Sequence, residues 1–298
     1  MQSHRNLKTY LALLITILVW ASAFPAIRFA LQFYSVGHIV LLRFLSASVI
    51  LLMIAIWQRI KLPKLVDLPF IILLGAVGFS IYNMALVNGE KTVLSGAASM
   101  IISSSPIVTS LLAVLYFKEK MRLMGWIGSI IGMLGVAIIT FRDLLSFQFE
   151  PGALIIFFAA LCLSFYSVFQ KKLHSKYSVL QITVYTVICG TILLSLNFPG
   201  IIQSVASAPL PATGSILYLG IFPTVIGYLG WNYALSRISA SIASSFQYLT
   251  PFIAVLIAWV WLGEVPGWLT FAGGILTILG VVIVNSWGKA SHSESSRT

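Results

Sequence analysis

Charge is what this 298-residue chain has least of. Only 8% of its residues are Asp, Glu, Lys or Arg, while 59% are apolar; ordinary soluble domains carry roughly a quarter charged residues. A water-soluble core of this size could not hide so much apolar surface, so the composition excludes the soluble globular class and makes a lipid bilayer the solvent. Acids are scarcest. All seven, Asp67, Glu90, Glu119, Asp143, Glu150, Glu264 and Glu294, fall in expected loops, tails or span ends, and the four histidines are His4, His38, His174 and His292. No acid or histidine relay is therefore expected at mid-membrane, where proton coupling usually resides. The two cysteines, Cys162 and Cys189, fall within apolar runs and read as small core residues, not as a disulfide framework. No G-x-x-x-x-G-K-[ST] phosphate loop is present, which argues against ATP-driven transport by this chain alone. H-E-x-x-H and paired intramembrane aspartates are also missing, so intramembrane hydrolysis has no catalytic set. No catalytic residue, metal or cofactor is expected.

What is present is apolar length. Ten runs suited to a span of about 20 residues can be drawn: 10–31, 37–57, 68–87, 93–116, 123–141, 152–171, 178–198, 213–235, 240–262 and 267–287. Basic loops resist translocation and stay cytoplasmic. With the N-terminus inside, the inner segments hold Arg5, Lys8, Arg59, Lys61, Lys64, Lys118, Lys120, Arg122, Lys171, Lys172, Lys176, Arg237, Lys289 and Arg297, and the outer loops hold only Lys91 and Arg142. Arg28 and Arg43 lie within spans. Both termini are expected to be cytoplasmic, and the net charge of +11 is a topology signal. Nucleic acid is not an expected partner, because the basic residues are scattered over short loops. Ala21-Ser22-Ala23 mimics a signal-peptide cleavage site, but the apolar run continues to Leu31.

The chain also repeats itself. Pro106 recurs as Pro251, Glu119 as Glu264, Gly128 as Gly273 and Gly135 as Gly280, all at one offset. Asn83-Met84-Ala85-Leu86 recurs as Asn232-Tyr233-Ala234-Leu235 with a four-residue shift. Five spans per copy is an odd number, so the second copy enters the bilayer from the opposite side. The expected fold is an all-α integral membrane protein of ten transmembrane helices in two inverted five-helix repeats. Its parts are a cytoplasmic segment 1–9, a first repeat 10–141, an external linker 142–151, a second repeat 152–287 and a cytoplasmic polar tail 288–298. Spans 5 and 10 are rich in glycine (Gly125, Gly128, Gly132, Gly135; Gly273, Gly274, Gly280), which suits close helix packing inside the chain or, alternatively, a homodimer face.

Candidate site residues follow from polarity at membrane depth. Ser99, Ser103, Pro106 and Ser110 make one polar stripe on span 4, beside Ser104, and span 9 repeats the design with Gln247, Tyr248 and Pro251. Each proline frees the carbonyl four residues earlier, and matched helix breaks in two halves point to a transporter site. Pro106 and Pro251 are thus expected at helix breaks that serve gating. Asn83 and Asn232 are a matched pair able to bind a solute or tie helices. Arg43 lies deep enough to be costly and is read either as snorkelling or as a carboxylate contact; Arg28, nearer its span end, reads as a snorkeller. Trp20, Tyr166, Tyr228 and Trp231 are aromatic with a polar handle and suit a cavity wall.

Together these residues resemble the EamA family of the drug/metabolite transporter superfamily. The resemblance rests on V-W-A-S-A-F-P-A-I-R (Val19 to Arg28), L-R-F-L (Leu42 to Leu45), the Pro106-to-Glu119 and Pro251-to-Glu264 motifs and the glycine-valine ends at Gly128 to Val136 and Gly273 to Val281. It implies two inverted repeats, a central cavity lined by spans 1, 3, 4, 6, 8 and 9, and alternating access. Ala21 departs from the family pattern, in which Gly commonly follows the Trp. The expected function is a permease of the cell (inner) membrane, exporting a small metabolite, above all an amino acid or derivative. The alternatives are an exchanger of a nucleoside-like or anionic metabolite such as S-adenosylmethionine or a nucleotide sugar, and a non-transporting membrane partner. The expected partners are the solute and the lipid.

Overall fold

A computed structural model describes residues 2–117, 122–143, 148–235 and 247–287. The described chain is helical apart from a two-stranded antiparallel ribbon, Phe141–Asp143 with Gln148–Phe149, which occupies the expected linker. Six stretches are long and apolar enough to cross a bilayer: Lys8–Ala30, Val36–Trp57, Leu65–Gly89, Pro151–Phe169, Val179–Asn197 and Leu210–Trp231. Shorter apolar helices cover Leu123–Ile139, Thr250–Leu262 and Trp268–Val284. This is a multi-pass membrane protein.

The elements begin and break where local chemistry dictates. Helix α1 (Gln2–Ala21) is followed after Ser22 by α2 (Ala23–Ala30). The Ser35 hydroxyl caps α3 (Val36–Trp57) by accepting from the His38 N–H at 3.3 Å. The next stretch comprises α4 (Leu68–Gly75), a π-helical segment Ala76–Ile81 and α5 (Tyr82–Gly89). Over the expected span 93–116 lie two helices, α6 (Ser95–Ile102) and α7 (Ser105–Phe117), interrupted at Ser103–Ser104 just ahead of Pro106, whose ring cannot sit in a helix interior without cost. Then come α8 (Leu123–Thr140), α9 (Pro151–Phe169) and α10 (Val179–Leu194), the last started by a Ser178–Gln181 capping box. They are followed by α11 (Ile201–Ser207), α12 (Leu210–Leu219), a second π-helical segment Gly220–Ile226 and α13 (Gly227–Leu235). A short 3-10 turn Gln247–Leu249 leads into α14 (Thr250–Leu262), and α15 (Trp268–Trp287) closes the described chain.

The glycine stripes of α8 and α15 meet each other. A Cβ on Gly135 would lie 2.5 Å from the Gly273 carbonyl oxygen, and one on Gly280 would lie 2.5 Å from the Gly128 oxygen. Backbone-to-backbone approach of this kind tolerates only a hydrogen, and it is how helices gain packing where lipid offers no hydrophobic drive. The Thr277 hydroxyl donates to the Gly273 carbonyl at 2.9 Å along the same seam. These faces therefore join the two halves inside one chain.

Candidate functional site

Mid-chain, Pro223 sits inside the second π-helical segment. It has no N–H, so it cannot give the α-helical bond to the carbonyl of Leu219. The Thr224 hydroxyl reaches that carbonyl, donating to the Leu219 oxygen at 3.0 Å. The same hydroxyl accepts from Nε of Arg43 at 3.1 Å, and the Pro223 carbonyl accepts from Nε1 of Trp20 at 3.0 Å. One helix break thus fixes two side chains from other elements, Arg43 of α3 and Trp20 of α1. Arg43 is buried, with its guanidinium 5.4 Å from the Phe44 ring centroid. It points into protein, which overturns the snorkelling alternative. Among the described residues no carboxylate forms an ion pair with it.

Around this point the aromatic side chains converge. Trp20 lies 5.8 Å from Tyr228 and 5.4 Å from Trp231; Phe79 lies 5.1 Å from Tyr166, 5.9 Å from Tyr228 and 5.8 Å from Phe44. The packing is reciprocal between the halves of the sequence. Gly78 receives the Tyr166 ring and Gly227 receives the Trp20 ring, each so closely that a methyl group would collide with it. Gly78 and Gly227 share the offset that separates Asn83 from Asn232. Both lie in or next to π-helical segments, which are rare and concentrate at functional sites.

Of the expected site residues, Trp20, Arg43, Tyr166, Tyr228 and Trp231 are therefore gathered together. Asn83 is buried and bonds its own helix, its amide nitrogen donating to the Phe79 carbonyl at 2.8 Å, while its Oδ1 has no hydrogen-bond partner. It does not tie helices together. The Ser103 and Ser104 hydroxyls donate to the backbone carbonyls of Ser99 (2.9 Å) and Ile101 (2.7 Å). Gln247 is half-buried in the 3-10 turn ahead of Pro251, and Pro251 is buried at the start of α14. The side chains of Asn232 and Tyr248, and residue Glu119, lie outside the described residues.

Each end of the bundle carries a cross-half ion pair. At one end Asp67, ahead of α4, meets Nζ of Lys176 at 2.6 Å and accepts from the Tyr177 hydroxyl at 2.8 Å. The hydrogen bond to Asp67 holds the Lys176 ammonium above its ordinary pKa. At the other end Nε of Arg28 meets Oε1 of Glu264 at 3.1 Å, and Nη1 of Arg28 donates to the carbonyls of Glu90 at 2.5 Å and Lys91 at 2.6 Å. The second Glu264 oxygen accepts from the Ser95 N–H at 3.0 Å, capping α6. Arg28 is thus paired, not a free snorkeller. Beneath it Glu90 is 0% exposed and neither carboxyl oxygen has a hydrogen-bond partner. Its place at a span end gave no sign of burial. Sequence reading also missed Pro223 and Thr224, although a proline inside a span was a visible signal.

A family model described as the EamA-like transporter family matches residues 7–141 and again 150–286. The chain belongs to that family. The uncharacterized transporter YdfC of Bacillus subtilis (strain 168) is 40% identical over 263 residues, covering 88% of this chain and 86% of the relative. A probable terminal-alkyne amino-acid exporter of Streptantibioticus cattleyicolor is 37% identical over 289 residues, covering 97% of each. The uncharacterized inner membrane transporter YedA of Escherichia coli (strain K12) is 25% identical over 261 residues, covering 86% of this chain and 84% of the relative. A solved crystal structure at 17% identity superposes with a TM-score of 0.62, covering 92% of this chain and 95% of that one, and supports the fold alone. The EamA-like match places the protein among transporters.

Proposed function

We propose that this EamA-like protein exports an amino acid or amino-acid derivative across the cell (inner) membrane by alternating access. In this reading ten helices form two inverted five-helix repeats, both termini are cytoplasmic, and the halves rock about Arg43. The observation that carries the reading is Arg43 itself: a buried guanidinium with no carboxylate partner among the described residues, 5.4 Å from the Phe44 ring and held by Thr224, next to the Pro223 carbonyl that binds Trp20. A buried unpaired cation is costly, on the order of several kcal/mol. Such a group inside a membrane protein marks a ligand pathway, and a carboxylate would supply the missing charge. The rings would take an apolar side chain. The relative named as an amino-acid exporter supports a substrate of this class.

The ion pairs support two gates. Arg28–Glu264 and Asp67–Lys176 each join one half to the other, at opposite ends of the bundle, so rocking would open one while the other holds. The basic residues Arg59, Lys61 and Lys64 support a cytoplasmic Asp67 end in this reading. An exchanger of larger polyanions would want two or more basic groups in the cavity, and Arg28 is already held by Glu264.

The test is flux of labelled amino acids into proteoliposomes. Arg43→Gln should raise apparent KM at least tenfold for carboxylate-bearing solutes, about the 1.4 kcal/mol of one charge-assisted contact. Saturable flux with an unchanged KM in Arg43→Gln would overturn the assignment of the site.

A further inference from the structure

Glu90 plays no part in the substrate site just described, yet its carboxyl is sealed from water. It follows α5 at the helix C-terminus, where the backbone dipole already disfavours a negative charge. The groups facing it are Arg28 from α2, Glu264 after α14, Arg43 from α3 and Tyr82 from α5, while its neighbour Lys91 is exposed. Beyond Thr92, the Glu150 carboxylate accepts from the Thr92 hydroxyl at 2.6 Å. None of these groups hydrogen-bonds the Glu90 carboxyl oxygens. The charges of Arg28 and Arg43 oppose ionic repulsion at Glu90 in part, but the Arg28 hydrogen bonds go elsewhere, its Nε to Glu264 and its Nη1 to two backbone carbonyls. An ionised Glu90 would then be a second buried negative charge beside Glu264, opposed by the fields of Arg28 and Arg43 but with no donor on either carboxyl oxygen.

We propose that Glu90 is a proton-binding site linked to closure of this end of the bundle: its carboxyl takes a proton from water as Arg28 and Glu264 close over it, and returns that proton to water when they part. Burial, followed by the neighbouring Glu264 charge, pushes the closed-state carboxyl well above the ordinary carboxylate range. The sign follows directly. Below the open-state pKa both states carry the proton and closure is unopposed. As pH rises above that value closure is penalised progressively, until the closed-state pKa is passed. Acid on this face therefore favours the closed gate, and the conformational cycle responds to pH through an acid at a span end.

This inference rests on the alternating-access reading above, and the experiment separates the two. Spin labels are placed at Phe33→Cys and Val265→Cys, exposed positions flanking the ion pair, in a background with Cys162 and Cys189 replaced by alanine. Distance distributions are recorded in nanodiscs from about pH 5 to 9. The expected result is two populations, with the closed-to-open ratio falling as pH rises by up to about tenfold per unit, the limit for one proton. Glu90→Gln, which mimics the protonated acid, should remain closed throughout, and Glu90→Asp should still titrate. Two populations with no pH dependence, or a Glu90→Gln variant that keeps the wild-type dependence, would overturn the proton linkage and leave alternating access standing. A single distance under all conditions would overturn both.

Discussion

Thr224→Val tests whether the break at Pro223 organises the site. The substitution nearly preserves shape and removes one hydroxyl, which in the native protein donates to the Leu219 carbonyl and accepts from Arg43 Nε. A hydrogen bond to a charged group contributes about 1.5–3 kcal/mol, and a neutral one about 1 kcal/mol. Both native partners stay buried in the variant, so the expected loss is about 2–4 kcal/mol. For a chain of this length that corresponds to a fall of roughly 3–8 °C in the midpoint of thermal denaturation in detergent. Thr224→Ser keeps the hydroxyl and should stay within about 1 kcal/mol of the native protein, the cost of a small apolar truncation. Freed from Thr224, the guanidinium can also reorient, so apparent KM for amino-acid flux should change in Thr224→Val and not in Thr224→Ser. A Val variant as stable as the native protein, or a Ser variant as damaged as Val, would refute the account.

Two further outcomes follow from the packing and the second ion pair. Gly280→Ala forces α8 and α15 apart, since its methyl group would meet the Gly128 oxygen and the Gly132 Cα at 2.5 Å. Overpacking of this kind costs about 1–3 kcal/mol, while Gly214→Ala in α12, with nothing within 4 Å, should gain about 0.5–1 kcal/mol of helix propensity; thermal midpoints that move the same way in both would be inconsistent with the glycine seam. Asp67→Asn weakens the anchor for Lys176 and Tyr177, so a cysteine placed at the buried Ile71 should react several-fold faster with a membrane-impermeant thiol reagent; an unchanged rate would remove this pair from gate closure.

The helices were legible because hydropathy is a property of a window, and lipid rewards it directly. The limits drawn for the second span, 37–57, and the fifth, 123–141, fall within a residue of Val36–Trp57 and Leu123–Thr140. Burial of single polar groups is different in kind, since it depends on which other element covers them. Glu90 follows Gly89 at a span end, where solvation is the ordinary expectation, and in the fold Arg28 from α2 and Glu264 beyond α14 come to face it. Those partners lie 62 and 174 positions away in the chain, a separation no local pattern encodes. Pro223 shows a second limit. Looking for matched prolines favoured Pro106 and Pro251 and passed over a proline whose half-to-half counterpart is not another proline. The correspondence that did carry information was glycine facing aromatic. Gly78 with Tyr166 and Gly227 with Trp20 make the same close approach from opposite halves; the two glycines recur at the offset of Asn83 and Asn232, an identity visible in the sequence, but the ring each one faces is set by how the halves pack.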